Sequence, residues 1–274
     1  MVGTSTIIAA CITLFVALVL PLIIYIVYGV KNKGKGVWTA WLLGAAGFFV
    51  FQIIIRVPIL NVLSLSEGFV SFATEHYIVY CLLLAFTAAL FEVAGRYIVA
   101  KLMRANLTYE RGIAAGLGHG GIEAMMLIGM TYINNLVYIA LINSGSFDTV
   151  VEQTAALGVD TSSLVSVKEA LIGTESYVFL LAGYERILTM ILHVVLSLLV
   201  CYFVSRGKDW QGIVTCLVCH WLVDFVSAAV SGIVSGTVAY VIIYIFLTIV
   251  AVVSVLGIRS IKRSWKNGIK GECC

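Results

Sequence analysis

Residues 177–205 read YVFLLAGYERILTMILHVVLSLLVCYFVS, a stretch too long and too apolar for a helix of a water-soluble domain. A helix needs about 20 mostly apolar residues to cross the roughly 30 Å hydrocarbon core of a bilayer. Other stretches of the chain reach a comparable length. Together they predict seven membrane spans, near residues 5–28, 37–56, 77–100, 112–142, 177–205, 210–230 and 236–258.

The composition supports an all-α polytopic membrane protein. Of 274 residues, 61% are hydrophobic and 11% are charged, and the mean hydropathy is +1.07. A soluble fold cannot bury that much apolar surface. No segment between the spans is long or mixed enough for a separate core, so we predict one transmembrane domain, 1–274, embedded in the lipid bilayer. The net charge of +3 is small and forms no basic stripe, which argues against nucleic acid as a partner.

The charges between the spans predict the orientation of the chain. Lys and Arg residues are concentrated in the connections after the first, third and fifth spans and in the C-terminal tail. Outside the spans, only Arg56 and Lys168 lie on the opposite side. Because cytoplasmic loops carry an excess of Lys and Arg, we expect the N-terminus outside and the C-terminus in the cytoplasm.

Several ionisable side chains lie inside the predicted spans. Such a group near the middle of the membrane costs about 2.5–3.5 kcal/mol on insertion scales, so it needs a partner, a proton or water. These residues are Glu92, Arg96, His119, Glu123, Glu185, Arg186, His193, His220 and Asp224. Residues four apart share one helix face, which predicts pairs within three spans. The pairs are Glu92 with Arg96, His119 with Glu123, and His220 with Asp224.

Most of these groups are predicted to lie at one depth. At about 1.5 Å per helical residue, five of them fall roughly 6–16 Å from the cytoplasmic face. The five are Glu92, His119, Glu123, His193 and His220. Acids and histidines from four spans at one level indicate a functional polar site. Glu185 and Arg186 lie nearer the outer face, and we expect them to form a structural ion pair.

Glycines flank His119 in the fourth span. Gly112, Gly116 and Gly120 recur every four residues, with Gly118 and Gly121 beside them. Small residues at this spacing let a neighbouring membrane helix approach closely. We therefore expect a close helix contact at the level of His119.

The order of the polar motifs resembles the YhfC-type intramembrane peptidases. The resemblance covers roughly residues 90–225. It rests on FEVAGR at 91–96, GLGHGGIE at 116–123, Glu185-Arg186 ahead of His193, and HWLVD at 220–224. That family in turn resembles the PrsW proteases and the CAAX-processing and bacteriocin-processing membrane proteases. The resemblance implies a multi-pass membrane protease, with a bacterial plasma membrane as the expected location.

The resemblance also implies site residues. Glu92 and Arg96 match the second Glu and the Arg of E-E-x-x-x-R, and Glu123 matches the acid of F-x-x-x-E. His193 matches a histidine of the intervening span, and His220 with Asp224 matches H-x-x-x-D. Two positions depart from the pattern of the wider group. Phe91 stands where that group has its first glutamate, and His119 replaces the phenylalanine of F-x-x-x-E.

Two hydrolytic schemes are open to these residues. Without metal, Glu123 or Glu92 activates water that His193 orients, while His220, steered by Asp224, faces the oxyanion. With metal, His119, His193 and His220 bind Zn²⁺ together with one glutamate, Glu123 being a candidate, and the other glutamate is the base. The chain lacks the H-E-x-x-H signature of zincins, so both schemes remain.

We predict an endopeptidase that cuts a membrane protein or a membrane-attached peptide near the cytoplasmic leaflet. Two other classes of protein also place ionisable groups inside the membrane. One is a proton-coupled transporter, although the sequence has no inverted repeat and no pair of broken helices. The other is an inert binding or immunity scaffold, which the missing acid at Phe91 keeps open. Converging acids and histidines beside a water-sized space would favour the enzyme.

Overall fold

A computed structural model describes residues 1–271 of the chain and the side chains up to Asn267, and the regular structure in that part is entirely helical. Seven helices are long and apolar enough to cross a membrane. They are α1 (Thr4–Lys31), α2 (Val37–Leu63), α3 (Tyr77–Leu102), α4 (Tyr109–Ser144), α5 (Ser176–Ser205), α6 (Asp209–Ile233) and α7 (Gly236–Asn267). The all-α architecture with seven spans is therefore confirmed.

The second span is longer than the apolar stretch that predicted it. A π-helical segment, Phe49–Arg56, continues directly into the α-helical segment Val57–Leu63. Pro58 lies at the start of that segment, where its missing N–H costs little. Arg56, which the sequence placed at the end of the span, therefore lies within α2. Three short helices in the connections do not span: Glu67–Glu75, Phe147–Ala156 and Ser162–Gly173.

The chain forms two compact units. The first comprises Met1–Leu22 and Ala124–Ile187, and the second comprises Ile23–Glu123 and the residues from Leu188 onwards. The single domain 1–274 stays a prediction.

Buried hydrogen bonds hold the first unit together. The Thr13 hydroxyl donates to the carbonyl oxygen of Phe179 at 2.6 Å, and the Tyr132 hydroxyl donates to the same oxygen at 3.1 Å. At the N-terminus, the Val2 N–H donates to Oδ1 of Asn143 at 2.7 Å. Each bond joins segments far apart in sequence, so these polar groups select which apolar helices pack together.

In the second unit, small residues bring α2 and α4 into backbone contact. A Cβ atom added at Gly118 would collide with the carbonyl oxygen of Trp41 on α2. A Cβ atom added at Gly44 on α2 would collide with the carbonyl oxygen of Ala115 on α4. The two helices therefore meet through reciprocal glycines, one of which directly precedes His119.

The same glycine-rich part of α4 also contacts α5. A Cβ atom at Gly116 would lie 2.6 Å from Cα of Val194, and one at Gly120 would lie 2.8 Å from Cβ of His193. This confirms the close helix approach predicted from the glycine spacing. It also explains how His193 comes to lie beside the helix that carries His119.

Candidate active site

Within the second unit, segments of four spanning helices bring the predicted site residues together. The residues are Glu92 and Arg96 on α3, His119 and Glu123 on α4, His193 on α5, and His220 and Asp224 on α6. All of them except Asp224 are at most 9% exposed. A group of acids and histidines this deeply buried can exist only if its members satisfy one another.

The carboxylate of Glu92 lies at the centre of this group. Its Oε2 atom lies 3.0 Å from Nη2 of Arg96 and 3.0 Å from Nε2 of His119. The Nδ1 atoms of two further histidines lie near the same oxygen, at 3.7 Å for His193 and 3.6 Å for His220. One carboxylate oxygen therefore faces a guanidinium and three imidazoles. The predicted pair between Glu92 and Arg96 is confirmed.

Arg96 and Glu123 fix the protonation of the His193 ring. Nη2 of Arg96 lies 2.5 Å from Nδ1 of His193, and a guanidinium can only donate. Nδ1 therefore accepts, and the ring proton is on Nε2. That nitrogen lies 2.5 Å from Oε2 of Glu123, which can accept the proton's hydrogen bond. His193 thus connects the guanidinium on α3 to the carboxylate on α4.

His220 has a carboxylate on each side. Its Nε2 atom lies 3.4 Å from Oδ2 of Asp224, while its Nδ1 atom faces Glu92. Nδ1 is buried and has no hydrogen-bond partner among the described residues. A neutral ring with its proton toward Asp224 points the Nδ1 lone pair at a carboxylate oxygen of Glu92. That arrangement favours a cation that both atoms can contact.

The structure also places the remaining predicted pairs. His119 contacts Glu92, and Glu123 contacts His193. The expected pair between His119 and Glu123 stays a prediction. Glu123 can contact His193 because the glycines of α4 let α5 approach closely. In the other unit, Glu185 and Arg186 contact each other through Oε1 and Nη2, which agrees with the expected ion pair.

Two polar residues next to the site were not predicted. Gln52 is 5% exposed, and its Nε2 atom donates to Oε1 of Glu92 at 2.7 Å. Arg56 donates from Nη1 to Oε1 of Gln52 at 3.3 Å. In the sequence, Gln52 lies within an apolar stretch and Arg56 at its end, next to the connection. Their spacing of four, the same as in the three predicted pairs, was the signal that could have found them.

The comparisons with known proteins agree with this geometry. A family model described as YhfC intramembrane metalloprotease matches residues 15–248. The chain belongs to this family. A protein of Bacillus subtilis (strain 168) named "Uncharacterized membrane protein YhfC" is 32% identical over 213 residues, which cover 76% of this chain and 79% of that protein. No solved structure gives a significant match.

Membership of the YhfC family identifies the chain as a multi-pass integral membrane protein of an intramembrane metalloprotease family. The matched region contains all the predicted site residues. The further relation to the PrsW and CAAX-processing proteases stays a prediction.

The donor atoms of the site fit the metal that the family description implies. The ligand atoms of Glu92, His119 and His193 all lie within 4.8 Å of one another. Two histidines and a glutamate form one of the known ligand sets of catalytic zinc. Asp224 beside Nε2 of His220 is the kind of partner that orients a ligating histidine. The buried group that could hold a metal ion contains Glu92, and the assignment of Glu123 as a metal ligand stays a prediction.

Proposed function

We propose that this chain is an intramembrane metallopeptidase that hydrolyses a peptide bond of a membrane-associated substrate. One observation carries the proposal: three spanning helices bring Glu92, His119 and His193 together as buried ligand atoms within 4.8 Å of one another. Inserting these groups into a membrane is costly, so a merely structural role would be better served by apolar side chains.

We assign metal binding to Glu92, His119 and His193, with Nδ1 of His220 as the next donor atom in reach. Nδ1 of His193 would bind the ion in place of its contact with Nη2 of Arg96, while its Nε2–H would stay toward Glu123. A divalent ion such as Zn²⁺ would act as a Lewis acid on the scissile carbonyl and would make water more acidic. The charges also favour a cation. If all three carboxyl groups, those of Glu92, Glu123 and Asp224, are ionised, only the guanidinium groups of Arg56 and Arg96 are present to balance them.

Glu123 is the glutamate that we assign as general base. Gln52 holds Oε1 of Glu92, and its Oε2 faces the histidines, as a metal ligand requires. The side chain of Glu123 is 12% exposed, against 5% for Glu92, so Glu123 is the more accessible to water. Nε2 of His193 lies 2.5 Å from Oε2 of Glu123, close enough to orient the carboxylate that takes the proton from water.

Arg96 supplies charge for the oxyanion of the tetrahedral intermediate. Its Nε and Nη1 atoms are buried and have no hydrogen-bond partner among the described residues. Donors fixed in a site of low dielectric constant stabilise developing negative charge more strongly than donors in water do. His220, steered by Asp224 at Nε2, keeps its free nitrogen directed at the same group of residues.

The substrate is a membrane protein or a membrane-attached peptide. The site residues lie within helices that span the bilayer, so a chain must enter the membrane to reach them. We place the cut near the cytoplasmic leaflet, because the positive-inside orientation puts the C-terminal part of α3, where Glu92 and Arg96 lie, on that side.

Metal content and cleavage in matched variants test the proposal. The wild-type protein, purified in detergent, should contain about one divalent ion per chain by elemental analysis. Glu92→Gln and His119→Phe should lose the ion. Glu123→Gln should keep it and lose cleavage by a factor of about 10²–10⁴, the usual contribution of a general base. Cleavage is followed through new N-termini in the membrane fraction of cells that express each variant.

Glu110→Gln is the matched control. Glu110 lies on the same helix as Glu123, but its carboxylate contacts the Lys35 ammonium at 2.7 Å. This variant should keep both the ion and the cleavage. A wild-type protein without a stoichiometric ion, or a Glu123→Gln variant that cleaves at the wild-type rate, would contradict the proposal.

A further inference from the structure

A chain of side-chain hydrogen bonds leads from Arg56 through Gln52 to Glu92. Both residues of α2 lie in its π-helical segment, Phe49–Arg56. Segments of this kind are rare and are frequent at functional sites, because the wider turn changes the direction in which side chains point. Here the segment places an amide and a guanidinium, four residues apart, against α3.

Arg56 donates hydrogen bonds to α3 as well as to Gln52. Its Nη2 atom donates to the carbonyl oxygen of Leu84 at 2.8 Å, and its Nε atom donates to the Thr87 hydroxyl at 3.3 Å. The remaining nitrogen, Nη1, donates to Oε1 of Gln52. Three bonds in a fixed fork leave the guanidinium little freedom.

The position of Arg56 determines which way round the Gln52 amide lies. The amide oxygen accepts from Arg56, so the amide nitrogen must point the other way, where it donates to Oε1 of Glu92 at 2.7 Å. The same nitrogen also lies 3.4 Å from the carbonyl oxygen of Ala88. A flipped amide would set donor against donor at Arg56 and acceptor against acceptor at Glu92. The observed orientation is therefore the one that both neighbours require.

We propose that Gln52 and Arg56 are positioning residues that hold one oxygen of Glu92, so that the other oxygen faces the histidines. A carboxylate can rotate about its last bond. A strong hydrogen bond on Oε1 removes that freedom and keeps Oε2 directed at His119, His193 and His220. The inference rests on the proposed function, because the group being positioned is the proposed metal ligand. Partners that orient a ligand in this way typically contribute a factor of 10–100 to metal affinity.

Zinc affinity of the purified full-length protein tests this role. The dissociation constant is measured by competition with a chromophoric chelator for the wild type, Gln52→Leu, Arg56→Met and the double variant. Gln52→Leu keeps the side-chain size but cannot donate, and it should bind Zn²⁺ about 10–100-fold more weakly. Arg56→Met should lose less affinity. The double variant should lie close to Gln52→Leu, because the hydrogen bonds of Arg56 lead to Glu92 through Gln52 and no direct contact joins the two described side chains.

Two further variants separate positioning from damage to the fold. Gln52→Asn keeps the amide but is one methylene too short to reach Glu92, so it should resemble Gln52→Leu. Ile54→Ala alters a side chain on the same π-helical segment that is 55% exposed, and it should bind like the wild type. The thermal unfolding midpoint of each variant is measured in detergent. Affinities are compared among variants whose midpoints match that of the wild type.

The outcomes are distinct. Wild-type affinity in both Gln52 variants would overturn the role of Gln52. Independent losses that multiply in the double variant would overturn the action of Arg56 through Gln52. A wild-type protein that binds no Zn²⁺ would instead refute the proposed function, and this inference with it.

Discussion

Replacing Gly116 by alanine tests whether the close contact of α4 and α5 assembles the site. The added Cβ atom would lie 2.6 Å from Cα of Val194 and 3.1 Å from the carbonyl oxygen of His193. Ordinary contacts of this kind begin at 3.4 Å, so the helices must separate by about 0.8 Å. The obstacle is backbone, and no side-chain rotation can relieve it. Overpacking of this size costs about 1–3 kcal/mol of stability.

The effect on the site should exceed the effect on stability. His193 is at the point of contact, and its two 2.5 Å contacts, to Arg96 and Glu123, cannot both survive a shift of that size. Misplacement of catalytic groups by about 1 Å can cost about 10²-fold in rate. We therefore expect the cleavage rate of Gly116→Ala to fall several tens-fold and its metal binding to weaken.

The assay compares unfolding in mixed micelles, zinc affinity and cleavage for Gly116→Ala and Gly129→Ala. Gly129 lies on the same helix, α4, but its added Cβ atom would be 3.5 Å from the nearest side-chain atom, an ordinary contact. That variant should keep the wild-type values. If Gly116→Ala behaves like Gly129→Ala in all three measurements, the close contact of α4 and α5 does not assemble the site.

Two more predictions concern other parts of the chain. Thr13→Val removes the buried hydrogen bond to the carbonyl oxygen of Phe179. It should lower the free energy of unfolding by about 0.6 kcal/mol, the average for hydrogen bonds between membrane helices. An unchanged free energy of unfolding would mean that this hydrogen bond contributes nothing. A fluorescent protein fused to the C-terminus should fluoresce and a phosphatase fused there should be inactive, because the C-terminus is expected in the cytoplasm. The reverse result would invert the predicted orientation.

The number and type of the helices could be predicted because hydrocarbon imposes a length and an apolar composition on each span. The ends were less predictable. The helix α2 runs past Arg56 to Leu63 because Arg56 finds its hydrogen-bond partners on α3, at Leu84 and Thr87. A charge that ends an apolar stretch in the sequence can thus lie within the helix when a neighbouring helix satisfies it.

The residues of the site could be predicted because ionisable groups inside a membrane are costly and therefore need a reason. Their mutual contacts could not be predicted in the same way. Spacing by four identifies side chains on one face of a helix, but it does not give the partner of His119 on another helix. His119 contacts Glu92 on α3, and Glu92 is the glutamate that lies among the three histidines. Gln52 was missed because a single amide interrupts an apolar stretch without changing its hydropathy much.

The proposed function explains both positions, Phe91 and His119, at which the chain departs from the motifs of the wider protease group. Phe91 leaves the position of the first glutamate without an acid, while His119 brings an imidazole to 3.0 Å from Glu92 Oε2, where those motifs have a phenylalanine. A glutamate at the position of Phe91 would have added a fourth carboxylate to those of Glu92, Glu123 and Asp224. The repulsion among the carboxylates would then have increased, with the guanidinium groups of Arg56 and Arg96 to offset it. Phe91 in place of the acid lowers that repulsion, and His119 in place of the phenylalanine adds a neutral nitrogen ligand for a cation. The role of general base then passes to Glu123, whose carboxylate lies 2.5 Å from His193, a residue of the proposed metal site.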